Sequence, residues 1–372
     1  MKNFIIANLF LFIFLLLNSC SINQANNDIP DGACQIYAPI DKPESTSLPR
    51  MTDLFESIDT VYLSATEDNS LISSVDDVKL LNDTIFIQSG ETIFLFNRDG
   101  SYISRINRRG RGRGEYLSIT RFDISANNKE LYILNSELKK VVCYSFDGSF
   151  IRQFEIEDFV EDFAITSDGD FLFFNPKYYK GRGRRGVWKT DSNGTFKKQL
   201  ITIDDTFQHI IIVDHYFCHI NDKTIGIMGL EDHDYFYAID NDSAKVMFQM
   251  TSDIQMTKRT KRNQEAKDNQ AEYLKVDYFE NDRVLQFVLA NLQDRSHVRV
   301  LYDKEKAITY RTYHSDYLKI TDVSEIFPVN VSCYNGYYIF YLQGNQIESN
   351  VIYHKLFPTV TEQSNPVLFI AK

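Results

Sequence analysis

The chain has no CxxC pair, and its five cysteines (Cys20, Cys34, Cys143, Cys218, Cys333) lie far apart. A small disulfide-dense scaffold is excluded, and buried unpaired thiols are the expectation for the last four. GxSxG and HExxH are absent, and no glycine loop runs into Lys-Ser/Thr. Neither a hydrolase elbow, a zincin helix nor a phosphate cradle is therefore written here. Positive charge is in deficit, with 40 Lys and Arg against 51 Asp and Glu and a formal net charge of −11. Nucleic acid is a poor partner for such a chain. Only the first apolar run is long. "FIIANLFLFIFLLL" follows Lys2, short for a membrane span but fitting the h-region of an export signal.

That run ends in "LNSC", with Leu17, Asn18 and Ser19 before Cys20. The pattern resembles the bacterial lipobox, in which the leader is removed and the cysteine is acylated. Cys20 is thus the expected lipidation site, and residues 1–19 the signal peptide. Residues 20–50, with "NQANNDIPDG" and "APIDKPESTSLPR", hold Asn, Asp, Ser and Pro without periodicity, and read as a lipidated flexible tether. Residues 51–372 are long for one ordinary core unless repeats extend it.

A repeat is present. Asn82-Asp83 precedes "TIFIQ", Asn127-Asn128 precedes "KELYIL" and Asp168-Gly169 precedes "DFLFF". Asn221-Asp222, Asn281-Asp282 and Asn335-Gly336 precede "KTIGIM", "RVLQFVL" and "YYIFYL". These turn residues tolerate positive φ, and the runs after them have strand character. A second turn follows in most units: "LFNRDGSYISRI" and "CYSFDGSFIRQF" are offset by 48 residues. Four antiparallel strands recurring about every 50 residues mark a β-propeller blade. The expected fold class is all-β, a six-bladed propeller of four-stranded antiparallel blades. The last unit ends in the strand "NPVLFIAK", and "DTVYLSA" (Asp59–Ala65) stands unpaired before the first. Pairing the two would close the ring and hide two sheet edges.

Together these motifs resemble the TolB-like six-bladed propeller lipoproteins of the Bacteroidetes, similar in architecture to NHL-repeat proteins. The resemblance rests on the lipobox, on Gly110, Gly112, Gly114, Glu115 and Tyr116, and on "NPVLFIAK". It covers nearly all of the chain after the leader, with Arg113 where that family usually has proline. It implies a fold and no particular activity. A monomer in the cell envelope is expected, lipid-anchored at the outer membrane.

Two basic loops stand out. "NRRGRGRGEYL" carries Arg108, Arg109, Arg111 and Arg113 between the fourth strand of one unit and the first of the next. Its glycines read as turn residues, so the stretch is mainly fold. "KYYKGRGRRGVWK" carries Arg182, Arg184 and Arg185 between the second and third strands of the third unit. In a four-stranded blade both kinds of connection emerge on one face. The long insertion after Thr251 and residues 343–365 fall there too. The expected function is a membrane-anchored binding or scaffolding propeller. Its basic loop-bearing face would meet an anionic glycan, a lipid head group or a protein partner.

Six residues before their turns stand Asp76, Arg121, Asp162 and His215, candidates for the lining of a central channel. The alternative function, a calcium-assisted hydrolase or lyase, would need acids converging from several first strands. The mixture of Asp, Arg and His argues against such a ring, and no cofactor is expected. His215 and His219 share one strand face while Cys218 points away, so "HYFCH" is no zinc set.

Overall fold

Short runs of Val, Ile, Phe and Tyr between tight turns leave the chain little choice but antiparallel sheet. A computed structural model describes residues 32–38, 49–65, 70–176, 183–203, 215–229, 235–251, 273–291, 296–313 and 331–372. Cys20, Arg182 and most of the insertion after Thr251 lie outside the described residues.

Two strands precede the repeats, β1 (Cys34–Tyr37) and β2 (Ile58–Tyr62). The first repeat is β3 (Asp77–Leu81), β4 (Thr84–Ser89), β5 (Thr92–Asn97) and β6 (Tyr102–Ile106). The second is β7 (Arg121–Ser125), β8 (Glu130–Asn135), β9 (Lys140–Ser145) and β10 (Phe150–Glu155). The third is β11 (Asp162–Ile165), β12 (Phe171–Asn175), β13 (Gly186–Thr190) and β14 (Phe196–Ile201). Next come β15 (Phe217–His219), β16 (Thr224–Met228), β17 (Tyr235–Asp240) and β18 (Ser243–Thr251). They are followed by β19 (Tyr273–Glu280), β20 (Val284–Asn291), β21 (His297–Asp303) and β22 (Ile308–Tyr313). The chain ends with β23 (Val331–Tyr334), β24 (Tyr337–Leu342) and β25 (Val367–Ala371).

Four of these sets are separate four-stranded antiparallel sheets with neighbours in chain order. This is a β-propeller with four-stranded blades. Four blades stand apart, rather than six. The other strands belong to one nine-stranded sheet, in the order β1-β18-β17-β16-β15-β23-β24-β25-β2. A single parallel pair, His219 with Tyr334, links its two halves. In this sheet the N-terminal β2 pairs with the C-terminal β25, from Ile58 opposite Ala371 to Tyr62 opposite Val367.

Apolar layers fill the spaces between blades. Phe86, Ile93 and Leu95 of the first blade pack with Phe122, Leu131 and Tyr144 of the second. Tyr132 and Val141 of the second meet Phe163, Phe171, Phe173 and Trp188 of the third. Both faces of an inner strand are thus covered, and the inner strands read as continuous apolar runs. Only the outer strands alternate, leaving Ile103, Ile151, Phe196 and Met247 partly in solvent.

Two expectations need correction. Residues 34–37 were assigned to the tether, yet β1 pairs in parallel with β18, Cys34 opposite Phe248 and Tyr37 opposite Thr251. The folded part therefore begins before residue 51. Cys143, Cys218 and Cys333 are free and buried. Cys34 is disulfide-bonded instead.

Candidate functional site

The first strands of the blades bring their polar side chains together. Period-two alternation aims Asp77 and Lys79 from β3, and Arg121 and Asp123 from β7, into one shared space. Asp162 of β11 and His219 of β15 join them. Lys79 Nζ lies 3.3 Å from Asp77 and 3.7 Å from Asp123, above the rings of Phe122 and Tyr334. Asp123 also accepts from His219 Nε2 at 2.9 Å and from the Ile165 backbone N–H at 2.7 Å. Asp162 accepts from the backbone N–H groups of Tyr216 (2.9 Å) and Phe217 (3.0 Å), with Arg121 Nε 3.7 Å away. Asp77 accepts from Ser332 Oγ of β23 at 2.7 Å. Each carboxylate reaches to another blade, so the cluster staples first strands to one another.

Burial alone would raise the carboxyls of Asp77 and Asp123, but their neighbours prevail. Lys79, His215, Ser332 and Arg121 hold Asp77 down to about 2. His219 and Lys79 hold Asp123 below the usual range. Burial would lower Lys79, yet Asp77, Asp123 and Asp162 keep it raised. His215 is held below its ordinary value by burial first, with Asp77 pulling the other way and Arg121 opposing protonation.

Of the proposed channel residues, Arg121, Asp162 and His215 belong to this cluster and Asp76 does not. Asp76 is exposed and accepts from the Gly90 N–H at 2.6 Å. The residue that points inward is Asp77. Reading from the turns missed Asp77, Lys79, Asp123 and His219. Stepping by two along each strand from Arg121 or His215 finds the last two.

Beyond His219 lies a cavity of about 850 Å³. Its walls are hairpin turns: Asn127 between β7 and β8, Ser167 between β11 and β12, Asn221 to Lys223 between β15 and β16, Asp282 between β19 and β20, and Asn335 between β23 and β24. Ile124, Ile165 and Tyr334 add apolar surface. The lining carries Asp222, Asp240 and Asp282 against Lys223. This cavity belongs to the hairpin-turn side, not to the side of the basic connections.

On the connection side, "NRRGRGRGEYL" folds back on itself. The Tyr116 N–H donates to the Arg108 carbonyl, and the Gly110 N–H donates to the Tyr116 carbonyl at 2.9 Å. The Tyr116 hydroxyl donates to the Glu91 carbonyl at 3.0 Å, and Tyr144 Oη donates to the Gly114 carbonyl at 2.6 Å. The Glu115 carboxylate accepts from the Gly112 N–H at 2.8 Å and lies over Gly110, where a Cβ would stand 2.0 Å from it. Gly114 has φ +73° and leaves no room for a Cβ beside Phe150. Arg108, Arg109, Arg111 and Arg113 all remain exposed, Arg113 over the Phe150 ring.

The second basic loop is different. Arg184 Nη1 donates to Asp158 at 2.5 Å and its guanidinium covers the Phe196 ring at 4.1 Å. Arg185 is buried, donating to the Pro176 carbonyl at 3.3 Å. Arg184 is half-buried and already paired, and Arg185 is closed off, so the two basic clusters do not form one patch among the described residues.

Comparison with solved structures agrees with the fold. A Bacteroides fragilis NCTC 9343 protein described as exported superposes with TM-score 0.66 at 16% identity, covering 91% of this chain and 98% of that one. A DUF4221 member from Bacteroides vulgatus ATCC 8482 gives TM-score 0.48 at 11% identity, covering 85% and 96%. A catalytically inactive virginiamycin B lyase from Staphylococcus aureus, solved with quinupristin, gives 0.42 at 8%, covering 85% and 100%. No curated protein matches. The family match spans residues 36–372, and the chain belongs to DUF4934, a domain of unknown function.

Proposed function

We propose that this chain is an envelope-anchored binding propeller whose ligand sits in the hairpin-turn cavity. The observation that carries the reading is that cavity, about 850 Å³ and built from the turns of several blades. Side-chain amides, hydroxyls and carboxylates supply directional contacts, and the surplus of aspartate favours a cationic or neutral polar ligand over a polyanion. Titration calorimetry with a cationic chitosan oligomer, a neutral glucan oligomer and heparin tests it. The chitosan oligomer should bind best, and Asp222→Asn with Asp282→Asn should weaken it about tenfold. Strongest binding to heparin, unchanged in that variant, would sink the reading.

A second reading keeps an anionic glycan, lipid head group or protein on the connection side. Arg108, Arg109 and Arg111 support it, exposed on a loop pinned at both ends. Heparin binding lost in Arg108→Ser/Arg109→Ser/Arg111→Ser would favour it. A calcium-assisted hydrolase or lyase fits less well, because Asp77, Asp123 and Asp162 already answer Lys79, His219 and backbone N–H groups.

Six blades are part of the same proposal. Cut at its one link, the nine-stranded sheet gives β15–β18 and β23–β25 with β2, each a four-stranded antiparallel set, and the β2–β25 pairing would close the ring. The anchor rests on the h-region and "LNSC", and no described helix is long and apolar enough to cross a membrane. Fatty-acid labelling should tag the wild type and not Cys20→Ser, and the acylated sulfur then leaves Cys34 without Cys20 as a disulfide partner. Equal labelling of both removes the anchor.

A further inference from the structure

Three cysteines are free among the described residues, and two of them occupy strands that touch. β15 and β23 run in parallel with His219 opposite Tyr334. Cys218 immediately precedes His219, and Cys333 immediately precedes Tyr334. The two thiols are therefore register neighbours, on the side of the strands away from the charged cluster. Neighbouring strands lie about 4.8 Å apart, inside the roughly 4.4–6.8 Å that a disulfide needs between Cα atoms. The side chains agree. Cys218 Sγ is 3.8 Å from the Cys333 carbonyl oxygen, and it donates to the Glu280 carbonyl at 3.1 Å. Both residues are buried, at 3% and 7% exposure, so solvent thiols do not reach them in the folded chain.

Burial pushes the Cys333 thiol far up, and Cys218 and Glu280 raise it further. A thiol held protonated exchanges slowly, so a bond made here is made before the inner strands pack and then persists. Cys143 offers the contrast: it is equally buried in β9, beside Tyr132 and Glu130 and in an apolar cluster that holds no second cysteine.

We propose that Cys218 and Cys333 are a cross-linking site, joined during oxidative folding by a disulfide that ties β15 to β23. The thiolate of one cysteine attacks a disulfide oxidant, such as oxidised glutathione, and one glutathione thiolate leaves. The second cysteine thiolate then attacks the protein sulfur of the mixed disulfide and expels the other glutathione. Two S–H bonds give one S–S bond, two electrons pass to the oxidant, and the two protons end on its thiols. The proposal is independent of what the cavity binds.

The whole chain is refolded in a buffer of reduced and oxidised glutathione, alkylated without reduction, digested and mapped by mass spectrometry. More than half of the folded protein should yield a peptide linking Cys218 to Cys333, with Cys143 alkylated. Reductant present during the melt should lower the wild-type Tm by about 5 °C more than that of a Cys218→Ala/Cys333→Ala variant, in which the Cys34 bond is the one left to reduce. Recovery of both residues as alkylated thiols overturns the proposal. So does finding either one linked to Cys34 or Cys143.

Discussion

Gly110–Arg113 and Gly181–Arg184 spell the same four residues, Gly-Arg-Gly-Arg, and meet opposite fates. After the first, Gly114, Glu115 and Tyr116 turn the chain back, and their contacts go to backbone groups and Tyr144. The arginines are left outside. After the second, Arg185 and Gly186 lead straight into β13, and Asp158 stands within reach. There Arg184 is consumed by an ion pair and Arg185 by burial. A basic loop is thus available to a partner only where no acid or strand start claims it first. Counting arginines cannot show this.

The largest expected effect comes from the glycines. In Gly186→Ala the new Cβ would stand 2.0 Å from the Ile201 carbonyl oxygen at φ +84°. Backbone must move, and urea unfolding should show a loss of about 3 kcal/mol. Gly110→Ala meets only the end of the Glu115 side chain, which can swing away, so about 1 kcal/mol is expected. Equal losses would break the comparison, because they would make both loops equally rigid.

Acid asks whether the loops or the first-strand cluster hold the fold. Asp77 titrates at about 2 when folded and near 3.9 when unfolded, so its contribution is complete above pH ~4. It is lost as pH falls towards 2, about 2 kcal/mol in all, and Asp77→Asn should remove that slope. His215 is lowered as well, so the unfolded chain takes up protons first, and stability should fall below about pH 6.5. His215→Gln should flatten this arm of the curve. If Arg184→Ala flattens the acid arm more than Asp77→Asn does, the loop and not the cluster governs acid stability.

Arg184→Ala itself should cost about 1.5 kcal/mol, through the lost Asp158 bond and the uncovered Phe196 ring. Arg111→Ala should change stability by less than about 0.5 kcal/mol. A larger loss at Arg111 than at Arg184 would reverse the assignment of the two loops.

Much of the fold was legible because turn chemistry is local. Asn82 and Asn335 do take positive φ, at 52° and 54°, in two-residue hairpins. Lys129 and Ala307 take it too, at 53° each, and nothing in their chemistry announces this. Hairpin length is what misplaced Asp76. The first hairpin pairs Leu81 with Thr84, whereas the third pairs Ile165 with Phe171, so a fixed count back from the turn slips by one. In a strand, one residue is the difference between solvent and interior. The cavity was not legible at all, since its lining comes from turns far apart in the chain, each ordinary alone. Likewise nothing in "PDGAC" or its surroundings tells that β1 will find β18; that pairing is a property of an open edge.

That open edge sets how the molecule would carry force. β1 lies parallel to β18, and Ala38 continues the pairing by donating its N–H to the Thr251 carbonyl at 2.7 Å. A pull on the segment before Cys34 acts along the strand rather than across it. Its ladder bonds then resist together in shear, instead of opening one at a time as a zipper does. Tension from the N-terminal side is met first at β1 and β18, which spares the pairing of β2 with β25 until β1 has slid free.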